Sequence, residues 1–114
     1  MRLSILLLLW LPMAAWAQKT HADVACYATG TDFVYDCVIR LSRGGQALSG
    51  AQITVGADMP TMPMAHNIKP VQAKPGARRG EYLVRLDLEM RGEWALKLRL
   101  SGPVRDQLIV HLRF

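Results

Sequence analysis

The residues with the most distinctive chemistry lie in one stretch, Met59-Pro60-Thr61-Met62-Pro63-Met64-Ala65-His66-Asn67. Three methionines and a histidine fall close together there. A thioether is a soft, uncharged ligand that selects Cu(I), and Ag(I) with it, over zinc or magnesium, and imidazole also suits copper. It needs no deprotonation, and it is not consumed as a disulfide where thiols oxidise. Pro60 and Pro63 remove backbone donors, exclude a central strand and predict an extended, irregular path. Alternate side chains of an extended chain share a side, so Met62, Met64 and His66 are expected to converge on one point. Met59 and Met90 are further candidate ligands, and Trp94 is a candidate cover with its ring face toward the cation. Packing is the competing reading. Methionine fills irregular gaps, and Met59, Met90 and Trp94 are in phase with the inward faces of their strands. His21 and His111 read as solvated side chains.

The elements that must position this loop read as strands. Phe33, Tyr35, Cys37, Ile39 and Leu41 share one face, and Val34, Asp36, Val38 and Arg40 the other. Ala51, Ile53, Val55, Ala57 and Met59 alternate in the same way. So do Tyr82, Val84, Leu86, Leu88 and Met90, then Trp94, Leu96, Leu98 and Leu100, then Leu108, Val110, Leu112 and Phe114. Turn signals separate the runs: Thr29-Gly30-Thr31-Asp32, Ser42-Arg43-Gly44-Gly45, Ser49-Gly50, Pro75-Gly76, Arg91-Gly92 and Ser101-Gly102-Pro103. With a first strand at Asp23 to Ala28 and a weaker one at Ile68 to Ala73, about seven short strands are expected. That pattern predicts an all-β, immunoglobulin-like antiparallel β-sandwich.

The apolar content, 51% of 114 residues, is unevenly spread. Arg2 precedes an unbroken apolar run from Ile5 to Trp10, and small residues follow at Ala15 and Ala17. Residues 1–17 read as a secretory signal peptide cut after Ala17, and residues 18–114 as the folded domain. An uncleaved anchor is the alternative. The run is short for a transmembrane helix, and no later segment approaches the ~20 apolar residues of a span. A periplasmic location follows as the expectation. Cys26 and Cys37 would then meet an oxidising compartment, and one disulfide is the simplest assignment. Ten residues separate them, which is not the spacing of a redox or zinc motif. The formal charge is +5. The basic residues are scattered and only Arg78 and Arg79 adjoin, so no nucleic-acid surface is expected.

The run Asp58 to Asn67, then Gly80-Glu81-Tyr82, then Glu89-Met90-Arg91-Gly92-Glu93-Trp94-Ala95-Leu96 and the stretch Gly102 to Asp106 resemble the YtkA-like/FixH family of exported bacterial domains. The resemblance covers roughly Ala47 to Phe114, and more loosely the rest of residues 18–114. It implies an immunoglobulin-like sandwich in the bacterial envelope, associated with copper or heavy-metal efflux or with oxidase maturation. By position it carries over Met59, Met62, Met64, His66, Met90 and Trp94. The expected function is soft-metal binding, with Cu(I) as cargo and an efflux or metal-transfer protein as partner. The alternative is an interaction module whose Met-Pro loop contacts an efflux adaptor or other envelope protein without metal. No Ser-His-Asp set, paired acids, Gly-rich phosphate loop or zinc motif can be placed, so an enzyme is not expected.

Overall fold

Alternating apolar and polar residues become antiparallel strands in the computed structural model, which describes residues 18–114. The signal-peptide reading of residues 1–17, and the cut after Ala17, lie outside them. Among the described residues the strands are β1 (Thr20–Ala28), β2 (Val34–Arg43), β3 (Gln46–Ala47), β4 (Gln52–Asp58), β5 (Asn67–Gln72), β6 (Lys74–Pro75), β7 (Glu81–Asp87), β8 (Glu93–Ser101) and β9 (Asp106–Arg113). One sheet runs β1-β2-β7-β6, with β3 added to β2, and the other β5-β4-β8-β9. Set against the immunoglobulin order, β1, β2, β7 and β6 take the places of strands A, B, E and D, and β4, β8 and β9 those of C, F and G. The expected fold is therefore the observed one. No described helix is long and apolar enough to cross a membrane.

The inward faces meet as the alternation requires. Ile39 and Leu41 of β2, Ile53 and Val55 of β4, Leu86 of β7, and Trp94, Leu96 and Leu98 of β8 are all buried. Burying a side chain of this size contributes about 1.5–3 kcal/mol. The Tyr82 hydroxyl sits at the edge of this core. It donates to the Leu48 carbonyl at 2.8 Å and accepts from the Ala51 N–H at 3.0 Å, holding the chain where it crosses from one sheet to the other. β5 and β6 are nearly one strand. Only Ala73 separates them, its N–H donating to the Ile53 carbonyl at 2.9 Å, and there the chain leaves the second sheet for the first.

Two residues depart from the period-two pattern. Phe33, in phase with Tyr35, precedes β2 in a left-handed conformation with φ 63° and is exposed. Glu89 has φ 66°, so the run toward Met90 ends as a strand at Asp87. Tight turns next to each residue override the alternation.

Cys26 and Cys37 form a disulfide between directly opposed residues of β1 and β2, with Cα atoms 4.0 Å apart. The Leu41 N–H points to β7, where it meets the Gly80 carbonyl, so Cys37, an even number of residues away, also turns its backbone to β7. The cysteines are thus a non-hydrogen-bonded pair, the closer of the two antiparallel spacings. The bridge lies on the inward face, with Cys37 buried. Closing so short a loop stabilises by about 2–3 kcal/mol. The Cys26→Ser/Cys37→Ser variant is expected to lose that amount in urea unfolding. A loss below about 0.5 kcal/mol would show that the β1–β2 hairpin needs no staple.

Candidate metal centre

One end of the sandwich collects the residues singled out by chemistry. β4 ends at Asp58 opposite Asn67 and Ala95, so the Met59–His66 loop lies beside the start of β8. The β1–β2 turn, the β7–β8 turn and Phe114 lie at the same end, because Ala28 opposes Tyr35, Val34 opposes Asp87 and Glu93 opposes Arg113.

The loop is closed at its base, where the Met59 N–H donates to the His66 carbonyl at 3.0 Å. Beside it, Asp58 is paired with Lys97 at 2.7 Å and is mostly buried.

The expected extended path is corrected by two successive turns. The Met62 N–H donates to the Met59 carbonyl at 2.9 Å. The Ala65 and His66 N–H groups then donate to the Met62 carbonyl at 3.2 and 3.0 Å. Each proline occupies the second position of its turn, where a fixed φ near −65° is favoured. The two Met-Pro pairs, three residues apart, were the sequence signal for this. Asn67 adds a side-chain bond, its Nδ2 donating to the Pro63 carbonyl at 3.0 Å.

The Met62 carbonyl thus anchors a turn that ends at His66, with Met64 at its middle. Met64 is 93% exposed and Met62 43%. His66 is half-buried, and its imidazole makes no hydrogen bond among the described residues.

The other three candidates are placed as packing residues. Met59 is 5% exposed. Its Cε lies 2.7 Å from where a Cβ on Gly92 would be, so its methyl fills the space that this glycine leaves open. Trp94 is 1% exposed and lies inside the sandwich rather than over the loop. Its indole N–H donates to the Met90 carbonyl at 3.2 Å. Met90 is half-buried against the core. For Met59 and Trp94, being in phase with the strand decides the matter: an inward position at a strand end is a core position.

In the sequence Gly92 stands only in a turn signal and in the run that carries the family resemblance. Besides admitting Met59, it exchanges two backbone hydrogen bonds with Phe114, at 3.1 and 2.9 Å, and the Phe114 ring packs on Tyr35 with centroids 4.7 Å apart. No local pattern links positions so far apart in sequence.

Among the described residues no group of three or more His, Cys, Asp or Glu side chains is placed to hold a metal ion. The disulfide also removes both thiols. A metal held by the side chains of the Met59–His66 loop itself would meet thioethers and one imidazole, a donor set fitted to a soft monovalent ion and poorly fitted to zinc or magnesium.

A family model described as YtkA-like matches residues 23–99. No curated protein and no solved structure matches the chain.

Proposed function

The chain belongs to the YtkA-like family, and from that premise we propose that it is a periplasmic carrier of Cu(I) that gives its cargo to an envelope efflux or metal-transfer protein. The observation that carries this reading is the exposure of two thioethers, Met62 and Met64, on a short loop with His66 one turn from Met62. A loop that plugged the sandwich end would bury these methionines. A carrier needs the reverse, ligands that an acceptor can replace one at a time. Met62 and His66 take the ion first, and Met64 either rotates in or is replaced by a donor of the acceptor. Met59 and Trp94 hold the base of the loop. The disulfide and the composition of residues 1–17 support an exported location.

The test is a titration of the protein with Ag(I), which needs no reductant and so leaves the disulfide intact. We expect about one ion per chain, with shifts in the Met62 and Met64 methyl signals and the His66 ring. The Met62→Ala/Met64→Ala variant should bind at least tenfold more weakly while unfolding at the same urea concentration, because neither side chain packs in the core. Unchanged affinity in that variant would remove both residues from the site.

A second reading is supported by the exposed Phe33 at the same end. Together with Met62 and Met64 it offers an apolar contact to an efflux adaptor, since methionine-rich surfaces adapt to partners. Partner binding that needs the loop and is indifferent to Ag(I) would favour it.

A further inference from the structure

β1, β6, β5 and β9 are the edge strands of the two sheets, and β7, an inner strand, is paired along only part of one side. β6 meets β7 only at Leu83 and Tyr82, and no strand continues it along Val84–Asp87 among the described residues. The direction of the β7 backbone groups follows from its hydrogen bonds. The Glu81 carbonyl accepts from the Gly76 N–H, on the β6 side, and the Leu88 N–H donates to the Phe33 carbonyl, on the β2 side. Backbone groups alternate along a strand, so Arg85 and Asp87 turn their N–H and C=O groups toward the open side.

Two adjoining clefts reach this edge, of about 480 and 670 Å³, the first extending across β2 to Tyr27 of β1. They share Val71 and Arg85; β5 walls both, and β6 only the first. Arg85 is engaged by Asp36 at 2.8 and 3.2 Å. Asp87 and Glu89, at the end nearer the Met59–His66 loop, make no ion pair among the described residues. Lys69 stands on the facing wall.

We propose that the open edge of β7 binds an extended segment of a partner protein, which adds a strand antiparallel to β7 in line with β6. Strand addition supplies main-chain hydrogen bonds, and pockets for alternate side chains supply selectivity. The direction follows the pairing of the rest of the sheet, which is antiparallel throughout. The segment enters beside the β7–β8 turn and leaves at Val84. Its residue opposite Asp87, and the residue two positions before that one, are basic, answering the two carboxylates of Asp87 and Glu89. Those opposite Val84 and Leu86 are apolar and turn toward the core. The residue opposite Arg85 is small and neutral, because that guanidinium already has its carboxylate. This inference stands apart from the metal reading and needs no metal.

The probe is the acetylated and amidated peptide Lys-Ile-Lys-Val-Thr-Val, followed by NMR of the metal-free protein. We expect shifts confined to β5, β7 and the β7–β8 turn, and slowed hydrogen exchange at the Arg85 and Asp87 amides. The same peptide N-methylated at its third and fifth residues should bind at least tenfold more weakly, as should one with both lysines replaced by glutamate. Three results would overturn the proposal: no shift at millimolar peptide, equal binding of all three peptides, or protected Arg85 and Asp87 amides in the free protein.

Discussion

Replacing Trp94 by alanine is expected to cost about 3–5 kcal/mol of folding stability, the range for truncating a large buried aromatic. The side chain is 1% exposed and packs with the central leucines of β8 and the inward residues of β2, β4 and β7. For a domain of this size the loss corresponds to a fall in Tm of roughly 12–40 °C. Two contributions are separable. Trp94→Phe keeps most of the apolar volume and removes only the indole N–H, leaving the Met90 carbonyl without its donor. That variant should cost about 1–3 kcal/mol, the penalty for an unsatisfied polar group, plus a small packing defect. Because Trp94 is the only tryptophan in residues 18–114, its fluorescence reports the same transition without a label. A cost for Trp94→Ala below about 1 kcal/mol, or solvent-like emission from the folded protein, would place the ring outside the core and restore it as a cover for the loop.

The second large effect is expected at Gly92. A Cβ there meets the Met59 methyl at 2.7 Å, and the backbone holds φ at 139°, a region that L side chains rarely adopt. The Met59 methyl is the far end of a flexible side chain and can swing aside, so overpacking costs only about 1 kcal/mol. The strained backbone adds about 1–3 kcal/mol. Gly92→Ala should therefore lose about 2–4 kcal/mol in urea unfolding. The two causes part company in a Met59→Ala background. There the clash is absent and only the backbone penalty remains, so the double variant should recover about 1 kcal/mol relative to additivity. Strict additivity would mean that Met59 and Gly92 do not share this space. Ag(I) affinity supplies a further readout, because Met59 begins the turn that positions Met62.

Most of the fold was legible in the sequence because each long strand has one face in the core and one in water. Tyr82, Val84 and Leu86 against Leu83, Arg85 and Asp87 show this most clearly, and burial follows the alternation residue by residue. Alternation fails where a turn intervenes, as at Phe33 and Glu89. It also carries no information about which sheet a strand joins: the expected strand at Ile68 to Ala73 is β5, while the two-residue β6 beyond Ala73, in the other sheet, leaves no alternation to detect. The candidate site was legible in composition but not in conformation. Residue type marks Met62, Met64 and His66 as a group, but proline favours the second position of a turn, and two such positions in a row wind the loop up where alternation would extend it. The role of Gly92 could not be read locally, since it depends on Met59 and Phe114, which only the folded chain brings to it.

Asp36 illustrates an electrostatic feature that sequence spacing also hides. Hydrogen bonding from Arg85 on the neighbouring strand, with the charge of that guanidinium, holds the Asp36 carboxyl below its ordinary value and raises Arg85 in return. The pair is exposed, so its stabilising contribution is slight. It is present above the ordinary carboxylate range and fades as acid protonates Asp36.

The pairing of β2 with β7 sets an order of events during synthesis. The β1–β2 hairpin is local and can close, disulfide included, soon after it leaves the ribosome or translocon. Its next neighbour arrives much later, since Val38 pairs with Leu83. Until then β2 has a bare edge and an uncovered apolar face, the kind of surface that recruits other chains. The second sheet waits in the same way, because β4 pairs with β8. A nascent chain stopped before Leu83 would therefore hold a finished hairpin and no core. Shielding during that interval, by a chaperone or by rapid delivery of the remaining chain, becomes a requirement for yield rather than for final stability.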